Sequence, residues 1–130
     1  MSFDIYVCRF ENGEPAPLDL VAAHEVLDPH VVARDLELNF FQVSTGEGEQ
    51  ADVYLGSPTS ITFNRFGGDG IMDLIAVLLQ RLDAVLIVPG GATILQRDED
   101  REHLVPALRD EWPVVVARTG AEIDQAIRAS

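Results

Sequence analysis

The sequence predicts a single α+β domain over residues 1–130, with a mostly antiparallel or mixed sheet of about six or seven strands and three to four helices. The stretch Ile71–Leu82 repeats apolar residues at helical spacing. The following stretch, Ala84–Val88, is apolar throughout, which is typical of a strand covered on both faces. The chain is 47% hydrophobic and contains no linker or internal repeat, so we expect one shared core.

The first predicted elements are a strand and a short helix. Phe3–Phe10 alternates apolar and polar residues, which predicts a strand with one apolar face. A turn follows at Asn12–Gly13, and Pro29 stops the next element. Before that proline, four residues share one face of a predicted helix: Leu20, Ala23, His24 and Leu27.

Three further strands are predicted in succession, as an antiparallel meander. The first is Leu36–Val43, in which the apolar phase changes at Phe40 and Phe41. Such a change indicates either a β-bulge or a strand buried on both faces, and we favour the bulge. Polar and glycine-containing turns separate the other two strands, Ala51–Leu55 and Ile61–Phe63.

The chain after the central helix and strand contains a hairpin, an irregular segment and a final strand and helix. Pro89–Gly91 has the residue order of a type II turn and leads to a strand at Ala92–Leu95. Arg97–Trp112 predicts one or two short helical turns capped near Asp98 or Asp100. Two elements complete the prediction: a strand at Val114–Ala117 and a helix opened by a capping box from Thr119 to Glu122.

Charge is the most unusual property of the chain. The sequence has 22 acidic residues and nine arginines and therefore a formal net charge of −13. Such a field repels nucleic acid and anionic membrane, and it accelerates encounter with a basic protein. We therefore expect no nucleic-acid or membrane partner and a basic protein partner. The alternative is that the acidity serves solubility alone.

The predicted location is cytoplasmic. No segment has about 18 consecutive apolar residues, and the N-terminus lacks the basic start and apolar region of a signal peptide. Cys8 is the single cysteine, so an internal disulfide cannot form, as expected in a reducing compartment.

The glycine-rich stretch Gly67–Gly70 lies between a predicted strand and the central helix, where free amides can bind an anion. It lacks the full glycine pattern of a dinucleotide site and the Lys-Ser/Thr of a P-loop. Asp69 would also place a negative charge at the ligand position. We therefore expect Asp69 to cap the helix and the glycines to form the turn.

No catalytic, cofactor-binding or metal-ligating residue is predicted. The three histidines, His24, His30 and His103, do not have the spacing of metal ligands. Cys8 lies in the middle of a predicted strand, without a helix N-terminus to activate it, and we interpret it as a packed thiol. The many carboxylates do not single out a catalytic pair.

Acidic residues cluster near the single tryptophan of the chain. Acidic charges steer the approach of a basic partner, and a tryptophan supplies buried contact area. The sequence therefore predicts a partner-binding surface formed by Asp98, Glu99, Asp100, Glu102, Asp110, Glu111 and Trp112.

A family resemblance is carried by three stretches: SFDIYVCRFENGEP (residues 2–15), FNRFGGDGIMDLI (63–75) and VLIVPGG (85–91). They resemble a group of small acidic bacterial proteins, mostly without assigned function, some of which look like immunity proteins of toxin systems. The resemblance implies a non-enzymatic inhibitor that binds a toxin domain. The net charge of −13 favours a basic toxin domain, such as a nuclease, whose nucleic-acid site is cationic. The alternative is a small-molecule-binding module or enzyme with a pocket near the loops Gly67–Gly70 and Pro89–Gly91.

Overall fold

The computed structural model describes residues 4–129, in which nine strands form one sheet accompanied by four α-helices. The strands are β1 (Ile5–Glu11), β2 (Glu14–Ala16), β3 (Val31–Asp35), β4 (Phe40–Gly46), β5 (Glu49–Tyr54), β6 (Ser60–Gly67), β7 (Val85–Ile87), β8 (Thr93–Leu95) and β9 (Val114–Val116). The helices are α1 (Leu20–Leu27), α2 (Asp69–Leu82), α3 (Pro106–Glu111) and α4 (Gly120–Arg128). Two short 3₁₀ segments also occur, Asp28–His30 and Asp98–His103.

The sheet order is β3-β4-β5-β6-β1-β7-β8-β9, and β2 pairs with β1 outside this path. Every pairing is antiparallel except β8 with β9. The predicted α+β class and the β4–β5–β6 meander are therefore confirmed. The sheet exceeds the predicted strand number because β2 and β3 were not anticipated. β2 is short and contains Pro15, and most of β3 is exposed, so neither shows a clear apolar alternation.

The predicted strand Leu36–Val43 is wrong in its first half. Residues 36–39 form the turn between β3 and β4, and Asn39 has a positive φ of 50°. The Asp35 carboxylate holds this turn by accepting hydrogen bonds from the backbone N–H groups of Glu37 and Leu38, at 3.1 and 3.4 Å.

The predicted bulge near Phe40 and Phe41 is also absent. Phe40 pairs with Tyr54 and Phe41 with Val53 in unbroken register. The change of apolar phase instead marks the point where the turn ends and β4 begins. Register shifts occur elsewhere, between Val31 and Ala33 and between Ser44 and Gly46.

One face of the sheet packs against α1, α2 and α4, and we call it the helix face. Consecutive strand residues point to opposite faces, so Leu86 and Ile94 enter the large core while Val85 and Leu95 point away from it. α2 supplies most of the helical contribution, as its apolar spacing predicts. Its buried residues are Ile71, Met72, Leu74, Ile75, Ala76, Leu78, Leu79 and Leu82.

The second face of the sheet is covered unequally. Beside β7 and β8 it is closed by residues 98–112, because Leu104 is fully buried against Val85 and Leu95. Toward β3 it carries a row of partly exposed side chains in register across four strands: Tyr6, Thr62, Tyr54 and Phe40.

Three predicted local motifs are confirmed. The capping box is present at α4, where Thr119 and Glu122 each accept a hydrogen bond from the other's backbone N–H. At the predicted type II turn, the N–H of Gly91 donates to the carbonyl of Val88 at 2.9 Å, and Gly90 has a φ of 78°. α1 contains the four residues of the predicted helical face and ends before Pro29.

Phe3, in the first predicted strand, lies outside the described residues, and β1 begins at Ile5. Within residues 4–129 the longest helix is α2, with 14 residues, and none of the helices combines the length and apolarity needed to cross a membrane.

Candidate functional site

Residues 98–112, which we call the 98–112 segment, contain the whole predicted partner-binding surface. The segment consists of the 3₁₀ turns at Asp98–His103, a short connection and α3. The predicted cap at Asp98 or Asp100 is absent, because the preceding N-cap is Arg97 and no side chain caps the turn. The predicted helical character is nevertheless correct.

Arginines partly neutralise the acids of this segment. Arg97 contacts Asp100 at 3.0 Å, Arg101 contacts Asp98 at 3.2 Å, and a third arginine is paired in the same way. In that pair, a hydrogen bond from Arg109 lowers the pKa of Asp110 from its usual value. The other acids of the segment are exposed: Glu99, Glu102 and Glu111.

The 98–112 segment is also part of the structural framework. Leu104 is fully buried, and Leu108 packs against the same small core. His103 fixes the segment to the turn between β1 and β2, because its Nδ1 accepts a hydrogen bond from the backbone N–H of Asn12 at 3.2 Å. Trp112 is partly buried at the C-terminal end of α3. The segment therefore covers the second face of the sheet as well as presenting acids to solvent.

The Gly67–Gly70 loop differs from its prediction in one respect. The N-cap of α2 is Gly68 rather than Asp69, and Gly68 offers no side chain for capping. A carboxylate from another part of the chain takes this role: Glu49 in β5 accepts a hydrogen bond from the backbone N–H of Gly70 at 2.8 Å. The anion position at the start of α2 is therefore occupied by the protein itself.

Close packing requires two of the three glycines of this loop, Gly68 and Gly70, whereas a Cβ atom at Gly67 would meet no atom within 4 Å. A Cβ atom at Gly68 would lie 2.5 Å from the Glu49 side chain, and one at Gly70 would lie 2.4 Å from the Thr45 hydroxyl. Gly68 also has a φ of 103°, which side-chain-bearing residues rarely adopt. The loop thus admits the Glu49 carboxylate because its glycines leave room for it.

The topology brings the two loops of the small-molecule hypothesis to the same end of the strands. β6 and β7 both pair antiparallel with β1, so their C-terminal ends, which carry Gly67–Gly70 and Pro89–Gly91, point the same way. A groove of about 530 Å³ at this end includes Gly90 and Gly91 but none of residues 67–70. Glu122 and Gln125, its longer polar side chains, both come from α4 rather than converging from several elements.

The residue types that bind metals or act as nucleophiles form no metal-binding cluster within the described part of the chain. No group of three or more His, Cys, Asp or Glu side chains within residues 4–129 is placed so that it could hold a metal ion. Cys8 lies in β1, and burial raises the pKa of its thiol to about 11, which disfavours the nucleophilic thiolate at neutral pH. His24 packs edge-on against Phe41, with ring centroids 5.6 Å apart.

The excess of negative charge is concentrated in the first part of the chain. Residues 1–56 contain eleven acids and two arginines, for a net charge of −9, whereas residues 57–130 contain eleven acids and seven arginines, for a net charge of −4. The 98–112 segment has six acids and two arginines and lies beside Arg97. It is dense in acids, but it contributes less than half of the net charge of −13.

An exposed apolar surface lies within the acidic part of the chain, at the turn between β3 and β4. Leu36 is 71% exposed and Leu38 is 67% exposed. Behind them the rings of Phe40 and Tyr54 pack with centroids 5.2 Å apart. We call this surface the β3–β4 patch, and it comprises Leu36, Leu38, Phe40, Tyr54, Asp35 and Glu37.

The β3–β4 patch has both a depression and free charge. A shallow depression of about 320 Å³ is lined by Ala33, Arg34, Asp35, Leu38, Phe40 and Tyr54. Neither Asp35 nor Glu37 forms an ion pair with any residue in the range 4–129. The Arg34 guanidinium lies 5.7 Å from the ring centre of Phe41, a residue that points to the helix face.

The alternating pattern of residues 36–43 predicts a strand at these leucines, so the patch was not anticipated from sequence. The alternation of Leu36 and Leu38 with acids is typical of a half-buried strand, but it also occurs in an acidic turn with exposed leucines. The available signal is the spacing of Asp35 and Asn39, because both residue types favour turns and Asn tolerates a positive φ.

Comparison with models of known protein families, with curated proteins and with solved structures gives no match for this chain.

Proposed function

We propose that this chain is a non-enzymatic, cytoplasmic interaction protein that binds a basic protein partner through the β3–β4 patch. Its most concrete form is an immunity-type inhibitor of a basic toxin domain, as the family resemblance implies. The observation that carries the proposal is the exposure of Leu36 and Leu38 beside two carboxylates that form no ion pair with any of the described residues 4–129.

The composition of the patch fits a protein interface. Binding energy in such interfaces is concentrated in a few large side chains that enter well-packed pockets, while charges nearby govern the approach of the partner. The β3–β4 patch has both parts, namely leucines and an aromatic pair for contact, and exposed acids for steering. By contrast, scattered single apolar residues on a surface carry no such meaning.

The depression beside Phe40 and Tyr54 suggests which partner residue is bound there. Its volume of about 320 Å³ is large enough for one long side chain. An arginine or lysine would lay its aliphatic portion on the two rings and direct its charge toward Asp35. A cationic side chain would therefore satisfy both the apolar wall and the acidic rim of the depression.

The proposed function is tested by first identifying the partner and then measuring binding. A photo-crosslinking amino acid replaces Leu38 in producing cells, and the same replacement at Val77, an apolar residue 48% exposed on α2, serves as the control. We expect a basic protein to be captured from position 38 and not from position 77. Purified partner is then titrated with the parent chain at low and high ionic strength.

Binding should weaken as salt rises, because charge steering contributes to the encounter. Replacing Leu38 with Asp should abolish measurable binding while the melting temperature stays near that of the parent. If the Leu38→Asp variant binds the purified partner as tightly as the parent, the β3–β4 patch is not the contact. If the captured protein is acidic and its affinity does not change with ionic strength, the proposed partner class is wrong.

A further inference from the structure

The edge of the sheet at β9 leaves backbone polar groups without partners in the sheet. Pro113 accepts a hydrogen bond from the N–H of Thr93, and the N–H of Ala117 donates to Leu95, both at 2.9 Å. Because strand residues alternate in direction, these odd-numbered positions face β8, and Val114 and Val116 turn their N–H and C=O groups outward. Strand edges of this kind are templates for another strand.

An apolar groove lies directly beside this edge, on the side of α4. It has a volume of about 530 Å³ and is lined almost entirely by small or apolar residues, among them Val115, Ala126 and Ala129. Glu122 is the one ionisable residue in its lining, and its carboxylate is engaged in the capping box of α4. The groove therefore offers contact area without free charge.

The two edges of the sheet are protected differently. β3 carries Arg34 and Asp35, and charged residues on an edge strand oppose pairing with other chains. β9 has no such residue: the run from Trp112 to Ala117 contains no ionisable side chain. In a chain with a net charge of −13, pairing through this neutral run brings no like-charged side chains of the strand into contact. This run contains no acidic side chain that could form an ion pair with a basic partner.

We infer that the protein forms a homodimer in which the β9 strands of two copies pair antiparallel across a two-fold axis. With Val115 of each copy at the axis, Val114 of one copy lies opposite Val116 of the other. Both of these residues face outward, so each outward N–H and C=O finds a partner. The Val115 side chains, 38% exposed in the single chain, then meet above the two grooves.

The dimer leaves the proposed binding surface free. β3 and β9 lie at opposite ends of the sheet, so pairing through β9 places the two β3–β4 patches at the far ends of a continuous sheet. Two patches on one dimer increase the apparent affinity for a partner that presents two copies of its site. The dimer itself does not depend on the proposed function.

Sedimentation equilibrium tests the inference directly. The parent chain should sediment at twice its monomer mass of 14.2 kDa, with dissociation on dilution. Val115→Lys places two like charges at the axis and should raise the dissociation constant at least about tenfold. Val32→Lys, on the opposite edge at a residue 63% exposed, is the matched control and should leave the constant unchanged.

A crosslinking experiment provides a readout that does not require a charge in the interface. Residues that face each other without mutual hydrogen bonds in an antiparallel pair have Cα atoms about 4.5 Å apart, within the range of a disulfide. Val115→Cys in a Cys8→Ser background should therefore form a covalent dimer quickly on mild oxidation. Val32→Cys in the same background should remain a monomer on reducing-agent-free gels.

Each result decides for or against the inference. A parent chain that stays at 14.2 kDa at every attainable concentration overturns it, as does a dimer that survives Val115→Lys. Dissociation by Val32→Lys would move the interface to β3 and overturn the inference as well.

The disulfide experiment decides if Val115→Lys fails to fold by circular dichroism. Equal crosslinking at positions 115 and 32 rejects the β9 interface. If the parent is a monomer and the Val115→Lys variant no longer binds the basic partner, the β9 edge contacts that partner and the homodimer is rejected.

Discussion

The 98–112 segment and the β3–β4 patch are both acidic, but the structure uses them in different ways. In the 98–112 segment, arginines contact Asp98, Asp100 and Asp110, and Leu104 is fully buried. In the β3–β4 patch the leucines are exposed, and Asp35 and Glu37 lack ion pairs within residues 4–129. The first region contributes chiefly to the framework, and the second presents its charged and apolar groups to solvent.

This difference shows why the density of acids along the sequence is a poor guide to surface potential. Acids three residues away from an arginine in a helical turn lie on the same side and form short pairs, which cancel their field at a distance. Acids in a turn next to exposed leucines have no such partner. The local balance of charge in three dimensions therefore matters more than the count of acids in a run.

The first prediction separates the two regions by their contribution to stability. Leu104→Ala removes buried apolar atoms from the small core under the 98–112 segment and should lower the free energy of unfolding by about 2–5 kcal/mol. Leu38→Ala, the same substitution at a residue 67% exposed, should change it by less than about 0.5 kcal/mol. Urea denaturation of both variants measures the two values. Similar losses from both would mean that the two regions do not differ in structural role.

Much of the fold followed from sequence because it depends on local patterns. α2 has many apolar residues at helical spacing, the capping box at Thr119 is a short motif, and the turn at Gly90 requires a residue that accepts positive φ. These signals are contained in a few neighbouring residues. The class of fold, which follows from their order, was therefore predictable.

The missed features depend on contacts between distant residues. Glu49 caps α2 from 21 residues away, and the sequence gives Asp69 the same capping chemistry at a nearer position. The pairing of Arg97 with Asp83 likewise joins residues 14 positions apart. The ion pairs of the 98–112 segment have a local signal, because each joins residues one or three positions apart. The exposure of Leu38 depends on packing, which linear spacing does not encode. The partner-binding surface at residues 98–112 stays a prediction.

The second prediction separates the regions by binding. Leu38→Ala should weaken binding of the purified partner by about 2 kcal/mol, mainly through faster dissociation, because it removes a central apolar contact. Trp112→Ala should lower the melting temperature while the folded fraction binds as the parent does, because Trp112 is partly buried at the end of α3. Surface plasmon resonance on folded material measures both. Loss of binding in the Trp112 variant alone would return the contact to the 98–112 segment.

The third prediction concerns Glu49, an acid in residues 1–56 whose carboxylate has a structural role at the start of α2. Glu49→Ala removes the carboxylate from the start of α2 and should cost about 1 kcal/mol of stability, as expected for loss of a helix cap. Glu47→Ala, an exposed residue in the same β4–β5 turn, is the matched control and should cost less than about 0.5 kcal/mol. Equal melting temperatures for the two variants would show that the Glu49 carboxylate does not stabilise α2.

The smallest expected effect tests the steering role of the free acids, using two variants that each remove two negative charges. The variant Asp35→Asn with Glu37→Gln should slow association with the purified partner several-fold at an ionic strength of about 0.1 M. The variant Glu99→Gln with Glu102→Gln should change the rate less, although all four residues are exposed. Steering falls off over a screening length of about 10 Å at moderate salt, so acids beside the contact act more strongly than acids elsewhere.

Stopped-flow measurements at low and high ionic strength distinguish three outcomes of this experiment. A larger effect from Asp35 and Glu37, vanishing at high salt, places the contact at the β3–β4 patch. A larger effect from Glu99 and Glu102 supports the surface that the sequence predicts. Equal slowing would mean that the partner senses only the total charge of −13, and no slowing in either variant would leave the acidity with a role in solubility alone. The comparison between the two acidic regions therefore depends on a difference between variants of equal net charge, which removes total charge as an explanation.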